Sequence, residues 1–291
     1  MTAVAAKALF LGTLLRLGRV SNLPTVWSNV LAATVLAGAE LASVTTATVI
    51  LAMTALYVGG MYLNDAFDRE VDARERPRRP IPSGEISPAA VFGIGFGLLL
   101  AGIAAMLISG SAAGLAGVVL AAAIVGYNLH HKGVGWSPLL MGVCRALVYV
   151  GASVAATGAV QPALLLGALA LFAHVVGLTY AAKQENFNRI GRLWPLGVIA
   201  IPFVIGLWML PSGALSLLAG APLLVVDGLA IKLLKNPIDA ADVPRAVSLM
   251  IAAIALVDAL VASSTGSWSA VLLCCAAFAL TLVLQRVVPG T

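Results

Sequence analysis

The chain has 291 residues, 61% of them hydrophobic and 10% charged, with a formal net charge of +5. Soluble domains carry about 25% charged residues, and a mean hydropathy of +1.03 is more apolar than a water-exposed fold allows, so a soluble globular protein is excluded. In so apolar a chain the basic excess reads as a membrane-orientation signal, and no nucleic-acid partner is expected.

In chain order, the residues up to Arg19 read as an amphipathic lead-in helix rather than a cleavable signal, because Arg16 and Arg19 follow its apolar part. Ten candidate spans come next, near 24–41, 44–63, 89–109, 112–129, 138–157, 162–181, 194–210, 213–233, 244–263 and 268–286. Runs of this length suit helices, since a membrane barrel repeats in alternating segments of about ten residues. The 29 glycines and 14 prolines agree, because small residues let membrane helices approach and neighbours re-satisfy a backbone broken by proline. The predicted fold is all-α: a polytopic transmembrane helical bundle of nine or ten spans, one integral domain over 1–291, with two similar four-span units around a central cavity. Cys144, Cys274 and Cys275 lie inside apolar runs with no metal-site spacing and read as core.

Basic residues occupy alternate connections. Lys7, Arg16 and Arg19 precede the first span; Arg69, Arg74, Arg76, Arg78 and Arg79 follow the second; Lys132 follows the fourth; Lys183, Arg189 and Arg192 follow the sixth; Lys235 follows the eighth and Arg286 the last. The intervening connections hold none, so both termini and the long polar connections 64–88 and 183–193 are expected to be cytoplasmic.

The strongest chemical signal is Asn64-Asp65-Ala66-Phe67-Asp68-Arg69-Glu70-Val71-Asp72. Asn64, Asp68 and Asp72 are spaced i, i+4, i+8, so a helix leaving the second span carries them on one face. Mg²⁺ is bound by such oxygen ligands, one or two carboxylates completed by substrate phosphates. Arg76, Arg78 and Arg79 follow at once, then the turn Pro80-Ile81-Pro82-Ser83-Gly84. Acids for a metal beside bases for phosphate describe a diphosphate site; the plainer alternative is a solvated acidic helix end balanced by its arginines.

This segment resembles the UbiA superfamily of intramembrane prenyltransferases, whose first motif NDxxDxxxD is matched at 64–72 and whose RPIPSG is matched at 79–84. Arg19-Val20-Ser21-Asn22 is similar to the family's RPxN with Val for Pro, and Tyr127 with Lys132 resembles its Tyr and Lys/Arg pair after span four. The resemblance implies Mg²⁺-dependent transfer of a prenyl group from a polyprenyl diphosphate to a membrane-associated acceptor, inside a bundle open to membrane lipid. Asn64, Asp68 and Asp72 would hold the metal, and Asn22, Arg76, Arg79, Tyr127 and Lys132 would bind substrate. The second acidic motif departs from the family, because Lys183 and Phe187 stand at its aspartate positions. Glu185 is the remaining carboxylate there, either a displaced metal ligand or a partner of Lys183 or Arg189. Lys183 is expected to supply directly the positive charge that a second metal supplies in relatives.

Ionisable residues inside spans are functional candidates by default. Arg145 is expected either to face an acceptor's polar head or to pair internally with Asp227 or Asp258, and His174 reads as a hydrogen-bonded packing residue. Two non-enzyme alternatives stand: a family member that binds an isoprenoid without transferring it, and a small-molecule transporter.

Overall fold

A computed structural model of the chain describes residues 3–131, 134–183, 194–209, 213–239, 241–288 and 290. Among the described residues every regular element is helical. The α-helices are α1 (Ala3–Leu17), α2 (Leu23–Leu36), α3 (Val44–Glu75), α4 (Pro88–Ile108), α5 (Ser111–His130), α6 (Ser137–Thr157), α7 (Pro162–Lys183), α8 (Ile201–Met209), α9 (Ala214–Lys235), α10 (Asp242–Ser263) and α11 (Trp268–Gln285). Eight of them, α3 to α7 and α9 to α11, are long and apolar enough to cross a membrane. The other two apolar runs form the 14-residue α2 and the segment Leu196–Met209, both shorter than those eight. The all-helical, multi-pass reading of the sequence therefore holds.

Local sequence sets the helix ends. Ser43, Ser87 and Ser267 each accept a hydrogen bond from the N–H three residues on, at the starts of α3, α4 and α11. Proline stands in the first turn of α2, α4 and α6, where its missing N–H is not needed.

Helix α3 is the element that builds the site. Its 32 residues span about 48 Å, well beyond a hydrocarbon core of about 30 Å. Counted from Val44, Asn64 lies about 30 Å along the axis, so the acidic run sits where the helix leaves the bilayer. Half of the connection read from sequence as 64–88 is thus helix, and the chain turns only after Arg76, ahead of Pro77 and Pro80. Gly59 and Gly95 hold α3 against α4: a Cβ on Gly59 would stand 2.8 Å from the Gly95 carbonyl oxygen, so neither position has room for a side chain.

Helix α10 is the hub. Every residue from Ala252 to Ser263 is buried, and the helix packs on α2, α7, α8, α9 and α11. Apolar faces attract one another no more than they attract lipid, so packing falls to the helix that permits close approach all round, and this alanine-rich one does. His174 Nε2 donates to the Met250 carbonyl at 2.9 Å, and its Nδ1 lies 3.8 Å from Asp227, so α7, α9 and α10 meet at a polar contact.

Helix α1 clamps the α3–α4 connection. Leu17 packs with Tyr62, Ala66, Ile81, Ile86 and Val91, and the Tyr62 hydroxyl donates to the Leu14 carbonyl at 3.0 Å. Glu85 accepts from Thr13 and from Arg16, and these contacts, the Thr13 hydroxyl first, hold its carboxyl below the usual range. The turn that follows the acidic helix is fixed by these contacts.

Candidate active site

Three oxygen-bearing side chains share one face of α3: Asn64, Asp68 and Asp72 are 7%, 6% and 2% exposed. Arg19 approaches them from the other side. It sits just before α2 with φ 42° and ψ 47°, the left-handed region that non-glycine residues adopt rarely and at a cost of about 1 kcal/mol. That turn aims one guanidinium nitrogen at both Asn64 Oδ1 and Asp65 Oδ1, each at 3.1 Å. Arg79 returns from the connection to donate to Asp65 Oδ1 at 3.1 Å and Asp72 Oδ2 at 2.9 Å. Asp65, on a different face of α3 from the proposed ligands, is therefore the anchor of both arginines.

Helix α5 closes the opposite side. Asn64 Nδ2 donates to Asn128 Oδ1 at 3.2 Å, and Asn128 Nδ2 donates to the Gly60 carbonyl at 3.0 Å. His131 Nδ1 faces the Asn128 carbonyl oxygen, which can only accept, so this nitrogen carries a proton; Nε2 lies 3.2 Å from Asp68 Oδ2. Tyr127, one turn earlier, stacks on the His131 ring with centroids 5.0 Å apart.

Below this polar rim opens a cavity of about 500 Å³, within the range of about 300–1,000 Å³ usual for small-molecule sites. Asn64, Asp68, Arg76, Arg79, Tyr127 and Lys183 line its upper part, while Val26, Met53, Leu56, Val148, Leu178 and Ile254 supply apolar walls lower down. Asp72 is not in the lining and is engaged with Arg79. Lys183, the last residue of α7, donates to the Val134 carbonyl at 2.7 Å and to Ser137 Oγ at 2.8 Å. Asn22 lines the cavity too, with its amide bonded to the Gly290 carbonyl at 2.9 Å and its Oδ1 to Gln285 at 3.1 Å. Lys132 and Glu185 lie outside the described residues.

Arg145 also lines the cavity, at mid-depth on α6. It donates to Asn29 Oδ1 at 2.8 Å and Thr25 Oγ1 at 3.2 Å, with its guanidinium 5.5 Å from the Tyr57 ring centroid. Asp258 is not its direct partner. That carboxylate accepts from Ser28, from Asn29 at 2.7 Å and from Tyr149 at 2.7 Å, so Asn29 bridges the two charges.

The structure therefore joins nine of the sequence-predicted site residues, Asn22, Asn64, Asp68, Asp72, Arg76, Arg79, Tyr127, Arg145 and Lys183, at or beside one cavity. Sequence reasoning left Asp65 off the ligand face without assigning it a partner, and passed over Asn128 and His131. A signal existed for His131, four residues after Tyr127 and so on the same helical face. None existed for Asn128, whose role depends on α5 packing against α3.

Hard oxygen donors at the rim suit Mg²⁺ by chemistry. Among the described residues, no cluster of three or more His, Cys, Asp or Glu side chains is placed to hold a metal. A cation held by Asn64 and Asp68, with Asp72 one turn on, would fill its remaining positions from a ligand.

Comparison with known proteins gives the same picture at the level of fold. A digeranylgeranylglyceryl phosphate synthase is 18% identical, with a TM-score of 0.60 over 89% of this chain and 99% of that one. A UbiA homologue from Aeropyrum pernix K1 is 17% identical, with a TM-score of 0.66 over 81% of this chain and 96% of that one. A UbiA homologue from Archaeoglobus fulgidus, bound to GPP and Mg²⁺, is 13% identical, with a TM-score of 0.52 over 94% and 99%. No curated protein sequence matches the chain. The UbiA prenyltransferase family model matches residues 22–235. Because that stretch covers well over half of the 291 residues and carries both the acidic face of α3 and its arginine partner Arg79, the chain belongs to the UbiA prenyltransferase family.

Proposed function

We propose that this protein transfers a prenyl group, in a Mg²⁺-dependent reaction, from a polyprenyl diphosphate to a membrane-associated acceptor. The observation that carries this is the junction of two environments in one cavity: carboxylates and arginines at the rim, aliphatic walls below. A diphosphate suits the first and an isoprenoid tail the second. Relatives of the same fold from Archaeoglobus fulgidus are bound to GPP or DMAPP with Mg²⁺, which supports the assignment of the donor.

Bound Mg²⁺ would supply positive charge to the diphosphate oxygens. Asn64, Asp68 and Asp72 are the residues to hold it, while Arg76, Arg79 and Lys183 bind the phosphates directly. In the transfer, the allylic C–O bond breaks and its electron pair leaves with the diphosphate. The acceptor's nucleophilic atom then bonds to the prenyl carbon, and the proton it releases passes to the diphosphate. Cations already fixed around the leaving group lower the barrier because they need no reorganisation as charge develops. Asp65, by gripping both Arg19 and Arg79, keeps that field in position. The apolar walls exclude water, which would otherwise capture the carbocation.

Purified protein with Mg²⁺ and a radiolabelled prenyl diphosphate is expected to release diphosphate in the presence of membrane extract containing acceptors. A passive isoprenoid binder or a transporter releases none.

The rim is proposed to face the cytoplasm, together with both termini, because basic residues are confined to alternate connections. Single cysteines at the exposed positions Ser83 and Thr265 are expected to react with an impermeant reagent from opposite sides. Reaction from one side would overturn the topology.

A further inference from the structure

His174 and Asp227 form a polar pair that the proposed reaction does not use. Both are buried, at 0% and 3% exposed, and neither belongs to the cavity lining. They meet at one level of the bundle. His174 lies nine residues from Lys183 on α7, Asp227 eight from Lys235 on α9 and Met250 eight from Asp242 on α10, in each case about 12–14 Å from the polar end of its helix. In a hydrocarbon core of about 30 Å that is near the middle, where bulk water is not at hand to satisfy a polar group.

The protons of this pair can be placed by elimination. The Met250 carbonyl oxygen only accepts, so His174 Nε2, 2.9 Å from it, carries a proton. In a neutral imidazole the other nitrogen, Nδ1, is then an acceptor. It faces Asp227 Oδ2 at 3.8 Å, and an ionised carboxylate is an acceptor as well. Among the described residues neither Asp227 oxygen and no other group makes a hydrogen bond to His174 Nδ1, and neither Asp227 oxygen has a donor. Asp258 shows what a buried carboxylate otherwise gathers: it accepts from Ser28, Asn29 and Tyr149. Asp227 has no such set, and an imidazolium–carboxylate pair would desolvate two charges while leaving one oxygen without a donor. A neutral carboxylic acid avoids that cost and supplies the donor that Nδ1 lacks.

We propose that His174 and Asp227 form an intramembrane proton-binding site, in which Asp227 is held as the neutral acid and its hydroxyl closes on His174 Nδ1 while Nε2 donates to the Met250 carbonyl. The relay runs through α9, α7 and α10 with each step a donor facing an acceptor, and it places no net charge in the apolar layer. Its ligand is one proton, and its effect is positional. Val175 and Leu178, beside His174, and Val247 and Ile251, beside Met250, line the cavity, so the relay ties the two wall helices together from behind. The site does not depend on which reaction the cavity performs.

The test uses the full chain in lipid nanodiscs at neutral pH. The infrared difference between native protein and Asp227→Asn is expected to show loss of a carboxylic-acid carbonyl band, one that moves when aspartate is carbon-13 labelled. Loss of a carboxylate band in its place overturns the proposal. Thermal unfolding reads the lock. An Asn amide N–H donates to Nδ1 as the acid does, so the Asp227→Asn midpoint is expected within about 2 °C of native, whereas Asp227→Ala is expected to fall by about 5 °C or more because Nδ1 is left unpaired. An Asp227→Ala protein as stable as native overturns the lock, and an Asp227→Asn midpoint as low as that of Asp227→Ala overturns the neutral acid in favour of an ion pair. Should Asp227→Asn not fold, His174→Gln decides: the acid band of labelled native protein is expected to shift as its hydrogen-bond partner changes. No such band, or one that His174→Gln leaves unmoved, overturns the proposal.

Discussion

Asp68→Ala is expected to lower diphosphate release at least about a hundredfold, the scale lost when one preorganised electrostatic element is removed. Asp68 is the carboxylate of the acidic face that both lines the cavity and meets His131, so its loss removes an oxygen ligand and leaves the imidazole without its carboxylate. Asp72→Ala is expected to fall by a similar factor, partly by a different route, because Asp72 also holds Arg79 at 2.9 Å. Asp65→Ala separates the roles. Its carboxylate holds two arginines rather than facing the cavity, so its removal is expected to destabilise the fold by about 3 kcal/mol, as for other buried pairs broken from one side. Mn²⁺ affinity, read by electron paramagnetic resonance with a substrate analogue bound, is expected to fall in Asp68→Ala and to change little in Asp65→Ala. An Asp68→Ala protein with more than about a tenth of native activity would refute the ligand assignment.

The second large effect concerns Lys183. Its ammonium lines the cavity, and its two acceptors among the described residues, the Val134 carbonyl and the Ser137 hydroxyl, are neutral, so its charge remains available to a phosphate. A lysine is a compact point charge able to neutralise a diphosphate oxygen as a metal would. With a non-reactive prenyl diphosphate analogue bound, one Mn²⁺ or Mg²⁺ per site is expected. Lys183→Ala is expected to weaken the analogue by about tenfold or more, the worth of a charge-assisted hydrogen bond, whereas Glu185→Gln leaves the metal count unchanged. The competing account has Lys183 snorkelling to the membrane surface while Glu185 keeps a second metal. Two metals per site, one of them lost in Glu185→Gln, with native affinity in Lys183→Ala, would decide for that account.

Much of the site was legible because its central motif is local. Asn64, Asp68 and Asp72 share a face whenever the segment is helical, and nothing from Val44 to Arg76 interrupts a helix. The arginines that serve it were half legible. Arg79 falls within a recognisable run, but its use of Asp65 and Asp72 depends on a turn fixed by Glu85, Thr13 and Arg16. Charge alone marked Arg145 as unusual without saying which of two aspartates, or neither, it met.

By itself, then, the sequence determined the membrane-embedded helical class, the position of the spans and the acidic face of α3, because each rests on composition or on a period of a few residues. Only the tertiary structure decided that Asp65 anchors two arginines, that Asn128 and His131 complete the rim from α5, and that Asn29 stands between Arg145 and Asp258. Those contacts join residues from 14 to 229 positions apart. Apolar helices in lipid carry no periodic signal for their neighbours, and such pairings are set by close packing at small residues.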